Sequence, residues 1–172
     1  ATAALNTGKI SLNDEFNCEV GKFEFDGWTI SDHEKFGVLT FPQIIANSSN
    51  VGVIKIAQII GKEPLYRLSR NYGFGTPTGI SFPGESQGIL RQKKDWSKMS
   101  LASVSIGYEV GVTALQIASA YSAIANGGVL LKPQIVRQII SNKGELLYKS
   151  KPEPIRKVVK AETMLFTTGI SS

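Results

Sequence analysis

One histidine and one cysteine are all that this 172-residue chain holds of two residue types that carry much of enzyme chemistry. A Ser-His-Asp triad needs an imidazole. The single candidate, His33, sits in Ser31-Asp32-His33-Glu34-Lys35, which reads as a polar loop. Zinc needs three or four clustered ligands, which His33 and Cys18 do not supply, so neither a metal nor a cofactor is expected. A lone cysteine also excludes an internal disulfide. No uninterrupted apolar run reaches the roughly 18 residues of a membrane-spanning helix. Residues 1–10 lack the basic-then-apolar order of a signal peptide. Gly73-Phe74-Gly75 follows a predicted helix and has no third glycine in register, so it is a turn and not a dinucleotide loop.

Acidic residues are in modest deficit, 14 against 19 lysines and arginines, for a formal charge of +5. The basic residues are scattered. Their densest stretches, residues 91–94 and 149–160, are not interleaved with the aromatics that a nucleic-acid-binding surface uses, so no nucleic acid is expected.

What is present is an ordinary globular balance, 42% apolar and 19% charged, enough to fill a core. Residues 1–7 read as the tail of a helix stopped at Gly8. Residues 16–30 alternate around Phe23, Phe25 and Trp28 and are punctuated by Asp26-Gly27, which predicts a small hairpin. Trp28 and Trp96 are read as packing residues. A short helix over 40–47 carries Pro42 in its first turn. Ser48-Ser49-Asn50 interrupts it, and residues 51–60 then form a helix apolar on most sides, closed by Gly61. A third helix over 64–72 is amphipathic, and residues 79–88 are turn-rich and extended. Thr113 and Gln116 have the spacing of a capping box. The helix they open has an apolar face of Leu115, Ile117, Ala118, Tyr121, Ile124 and Ala125 and ends at Gly127-Gly128. Residues 134–140 and 145–148 flank Ser141-Asn142-Lys143-Gly144 as a second hairpin, and a last helix begins over 160–168. The class is α+β: a helical lobe with a few strands.

Alone, the triplet Ser48-Ser49-Asn50 is a helix cap. On a short turn ahead of a buried helix, however, a hydroxyl and an amide are held rigidly. Such a turn can orient a substrate and pass a proton.

Three long stretches, LTFPQIIANSSNVGVIKIAQIIG (residues 39–61), NYGFGTPTGISFPGESQGIL (71–90) and SIGYEVGVTALQIASAYSAIANGGVLLKPQIV (105–136), resemble, in this order, the transpeptidase domain of class B penicillin-binding proteins. That family carries three motifs, S-x-x-K, S-x-N and K-[ST]-G, and only the second occurs here, as Ser48-Ser49-Asn50. Thr167-Thr168-Gly169 lacks the lysine of the third. The resemblance implies a partial transpeptidase (β-lactamase-like) fold, with residues 1–172 an internal part of one domain truncated at both ends. It implies an upstream serine that acylates on the D-Ala-D-Ala end of a peptidoglycan stem peptide, and on β-lactams, before an amine from a second peptide resolves the acyl-enzyme.

Under the same resemblance Ser48 relays a proton and Asn50 binds the substrate backbone and helps hold the lysine. Ser49 has no assigned chemistry. Tyr108, in Ser105-Ile106-Gly107-Tyr108, borders the cleft and contacts ligand, unless it is a packed loop tyrosine. Glu109 stands where similar proteins often have glycine, which leaves the backbone there open. The expected location is the extracytoplasmic face of a bacterial inner membrane, with the anchor outside these residues. The 172 residues alone are expected to be inactive, and their uncovered apolar surface to drive either self-association or a rearranged packing. Two alternatives stay open: a β-lactamase or β-lactam sensor of the same fold, and a non-enzymatic structural or binding module.

Overall fold

The computed structural model describes residues 1–160 together with Thr163 and Met164. A short helix α1 (Thr2–Asn6) ends at Thr7, and Gly8 follows at φ +67°. Strand β1 (Glu15–Asn17) pairs antiparallel with β4 (Val38–Thr40). Between them, β2 (Lys22–Phe25) and β3 (Trp28–Ser31) form the predicted hairpin. Its two turn residues, Asp26 and Gly27, both have positive φ, +51° and +81°, the backbone of a tight turn that matches the strands' own twist.

Helix α2 (Phe41–Ala46) has Pro42 in its first turn, and Gln43 Oε1 accepts a hydrogen bond from the Thr40 backbone N–H at 2.9 Å. Helix α3 (Asn50–Ile60) is the centre of the molecule. Only Gln58 and Ile59 of its residues are exposed, as its composition predicts. It packs against α1, α2, β1 and β3, and against α4 (Lys62–Asn71) and α5 (Lys98–Ser105). A side chain at Gly52 would put a Cβ 2.7 Å from Ile44, so this glycine is what lets α2 lie against α3. The main core gathers Ala4, Phe41, Ile44, Val51, Ile56 and Leu130, and a smaller one gathers Ala57, Trp96, Leu101 and Val104.

Two-residue strands β5 (Ile89–Leu90) and β6 (Val110–Gly111) pair ahead of helix α6 (Ala114–Ala125). The capping box at Thr113 and Gln116 is present as predicted, with bonds of 3.1 and 2.9 Å. Beyond α6, β7 (Val129–Leu131) pairs with β10 (Pro154–Lys157), and β8 (Gln138–Ile140) with β9 (Leu146–Lys149) as the second hairpin. Every residue of β8 and β9 is exposed, including Ile139, Ile140, Leu146, Leu147 and Tyr148. Exposed apolar side chains are therefore gathered on this hairpin. The expected last helix falls mostly outside the described residues, as does Thr167-Thr168-Gly169.

Two readings of packing are corrected. The buried face of α6 is Gln116, Ala120 and Ala123, whereas Ile117 and Tyr121 are exposed. Small side chains let α6 approach β7 closely, and Gln116 is buried because its polar atoms all find partners. Its Nε2 donates to the carbonyls of Thr76 at 2.8 Å and Gln87 at 2.9 Å. Trp28 is 66% exposed at the hairpin tip, whereas Trp96 is buried, with its indole N–H donating to the Arg91 carbonyl at 3.1 Å. Residues 79–88 hold turns and bends, in keeping with their turn-rich composition.

Leaving buried carbonyls without a donor costs about 1–3 kcal/mol for each group stranded. Gln116→Ala in the full-length protein should therefore lower the unfolding free energy by about 2 kcal/mol or more. A urea midpoint unmoved by the substitution would show that the loop over residues 73–88 is held by other contacts.

Candidate functional site

The turn between α2 and α3 is built from two helix ends that share three residues. At the end of α2, Ser48 N–H bonds to Ile45 O at 3.2 Å and Ser49 N–H to Ile44 O at 3.0 Å. This crossed pair is the Schellman closure, which requires a left-handed residue just past the helix and usually uses glycine. Here that residue is Ser48, at φ +51°. A side chain in this conformation crowds the backbone at a cost of about 1–2 kcal/mol.

Ser49 begins α3. It is fully buried, and its Oγ accepts from Gly52 N–H at 3.0 Å and donates to Asp32 Oδ2 at 2.7 Å. Cys18 Sγ packs against the same hydroxyl at 3.5 Å. The other carboxylate oxygen, Asp32 Oδ1, accepts from Val51 N–H at 3.0 Å. The middle serine, given no chemistry above, therefore performs the capping that the triplet alone implies. Ser48 is left exposed, and its hydroxyl makes no hydrogen bond among the described residues.

Asn50 is half-buried in the first turn of α3 and donates from Nδ2 to Ser31 O at 3.0 Å. Ser48 and Asn50 open onto one shallow groove of about 210 Å³, walled by Ile44, Val53, Ser105 and Ile106. The structure thus brings the two predicted catalytic residues together with the start of the Ser105–Tyr108 loop. Tyr108 itself does not line the groove. Its ring is 70% exposed, and its N–H bonds to Ser103 O at 2.8 Å. The next residue, Glu109, has φ +54° and pairs with Arg91, which also donates to Ser100 Oγ at 3.0 Å. The loop keeps the conformation that suits glycine even though glutamate occupies it.

A larger cavity of about 700 Å³ opens beside α1 among Leu5, Ile10, Leu12 and Lys160 and holds none of the predicted site residues. Among the described residues no group of three or more His, Cys, Asp or Glu side chains could hold a metal ion. Asp32 is what sequence reasoning missed. It was read as part of a polar loop, and its partner Ser49 lies 17 positions away, beyond the reach of any local pattern.

Ser48→Gly should raise stability by about 1 kcal/mol, because glycine adopts the left-handed turn without strain. Ser49→Ala should lower it by about 1–2 kcal/mol through loss of the cap. Urea unfolding of both variants checks the pair. A destabilised Ser48→Gly would mean that the Ser48 side chain makes a stabilising contact.

Residues 1–168 match the family described as Penicillin binding protein transpeptidase domain. Among curated relatives, a probable peptidoglycan D,D-transpeptidase PbpC of Pseudomonas aeruginosa is 38% identical over 79% of this chain and 24% of its own length. A penicillin-binding protein PbpB of Mycolicibacterium smegmatis is 34% identical over 95% of this chain and 25% of its own. Among solved structures, the transpeptidase domain of penicillin-binding protein 3 from Burkholderia pseudomallei superposes with a TM-score of 0.86 at 30% identity, covering 98% of this chain and 48% of that one. Penicillin-binding protein 3 from Mycobacterium tuberculosis, complexed with aztreonam, gives 0.82 at 32% identity over 95% and 36%. The chain spans about a quarter of the length of the curated relatives it matches. With that match over nearly all of its residues, the chain belongs to the penicillin-binding protein transpeptidase family.

Proposed function

We propose that this chain is the S-x-N-bearing internal part of a peptidoglycan D,D-transpeptidase domain that works through a serine acyl-enzyme, on the outer face of a bacterial inner membrane. The carrying observation is Ser48: an exposed hydroxyl with no partner among the described residues, held in a left-handed turn beside Asn50 at the mouth of a groove. Among the described residues no helix is long and apolar enough to cross a membrane, so an anchor would come from elsewhere in the parent protein.

In this reading, the hydroxyl oxygen of a serine in an S-x-x-K motif outside these residues attacks the penultimate D-Ala carbonyl of a stem peptide. The peptide C–N bond breaks, and the terminal D-Ala amine leaves with the proton that the serine gave up. Ser48 passes that proton between the motif's lysine and the departing nitrogen. Its hydroxyl is free to do so because Ser49 and Asp32 satisfy the helix end. Asn50 has one amide hydrogen committed to Ser31. The second remains for a substrate carbonyl, and its oxygen for the lysine ammonium. The amine of a second peptide then attacks the acyl-enzyme, forms the new amide and returns a proton to the serine along the same route. A β-lactam would acylate the same serine. The Tyr108 ring, exposed next to the groove wall, would meet ligand only from the rim.

Intact-mass measurement of the full-length protein with benzylpenicillin tests this reading. One covalent adduct is expected, mapping to a serine outside residues 1–172, with none on the 172-residue chain alone. Ser48→Ala should slow acylation by about 10²–10⁴-fold, the range for loss of a positioned proton-transfer group. An adduct on the 172-residue chain, or acylation of Ser48→Ala at the parent rate, would overturn the proposal. Rapid hydrolysis of the adduct would point to a β-lactamase instead.

A further inference from the structure

The S-x-N turn is oriented by residues on a different element, the end of β3. Asn50 Nδ2 donates to Ser31 O, Ser49 Oγ donates to Asp32 Oδ2, and Val51 N–H donates to Asp32 Oδ1, all within 2.7–3.0 Å. Three successive residues at the start of α3 are thus bonded to two successive residues of one strand end. The strand end is itself fixed. Asp32 N–H bonds to Gly21 O at 2.9 Å, and a Cβ at Gly21 would lie 2.4 Å from Glu34 O, so the backbone closes tightly around the carboxylate's base.

These contacts do more than cap a helix. Ser49 and Gly52 alone make the ordinary N-cap bond, and α3 would have that cap without Asp32. What the carboxylate adds is a two-point hold, one oxygen on the Ser49 side chain and one on the Val51 backbone. A two-point hold fixes rotation of the turn as well as its position. Ser48 lies immediately before Ser49, and its left-handed backbone has little tolerance for adjustment. Rotation of Ser49 therefore swings the Ser48 hydroxyl directly.

We infer that Asp32 is a positioning residue for the transpeptidase reaction: through Ser49 and Val51 it sets the direction in which the Ser48 hydroxyl faces the groove. This inference rests on the proton-relay reading of Ser48 given above. Asp32 touches neither substrate nor the reacting atoms. It acts on the rate of the chemical step through the bearing of a hydroxyl, and placement errors of the order of an ångström cost about 10²-fold in such steps.

The test uses the full-length protein and the kinetics of acylation by benzylpenicillin, with the acylation rate constant separated from the dissociation constant of the pre-covalent complex. Asp32→Ala should reduce the acylation rate constant by about 10–100-fold while moving the dissociation constant by less than about threefold. Asp32→Asn keeps an acceptor for Val51 N–H and should fall between Asp32→Ala and the parent. Should Asp32→Ala not fold, Asp32→Asn carries the same comparison. The decisive arm adds each substitution to Ser48→Ala. If Asp32 works through Ser48, it should slow the Ser48→Ala protein by less than about twofold, because residues acting as a unit are not additive. A full multiplicative loss in the Ser48→Ala background, or no loss in the parent background, would overturn the assignment of Asp32 alone. If Ser48→Ala itself acylates at the parent rate, the relay reading fails first, so the two failures are told apart.

Discussion

A helix sunk in apolar surroundings carries its first turn in with it, and the backbone N–H groups of that turn have no carbonyl of their own to bond. This constraint governs the arrangement around α3. Its side chains drive it to the centre, where Val51 and Ile54 are fully buried, and its end then needs acceptors in a place that water does not reach. Ser49 supplies one for Gly52, and Asp32 supplies another for Val51. The β2–β3 hairpin has to sit where it does for that carboxylate to arrive. The site follows from the same need, since everything that satisfies the helix end also fixes the turn before it.

Ser48 shows the cost of this arrangement. A Schellman closure favours glycine at its position, and local stability alone would place glycine there. Under the proposed relay, the side chain kept there at that cost is the hydroxyl exposed at the groove. Glu109, three residues after Ile106, is a second residue with this backbone. Its left-handed backbone is accompanied by the pairing of its carboxylate with Arg91, a compensation absent at Ser48.

Local chemistry was legible in the sequence, and packing between elements was less so. The Asp26-Gly27 turn, the Thr113–Gln116 capping box and the stop of α3 at Gly61 all depend on residues within four positions of one another, and all three are present. The buried face of α6 was misjudged, because its helical period offers both a large apolar stripe through Ile117 and Tyr121 and a small one through Ala120 and Ala123. What lies opposite decides between them: β7 and the loop bonded to Gln116 accept the small stripe. In the same way the triplet at residues 48–50 could be read both as a cap and as a site. The structure gives the cap to Ser49, whose hydroxyl is also held by Asp32 from outside the triplet, and leaves Ser48 exposed at the groove.

The contacts that orient the turn join residues 17 to 19 positions apart. The entropy of closing a loop grows only as the logarithm of its length, so loops this short close at small cost. Contacts of short sequence separation also form early in folding. The stretch from β1 to α3 can therefore establish the geometry of the turn as a local unit.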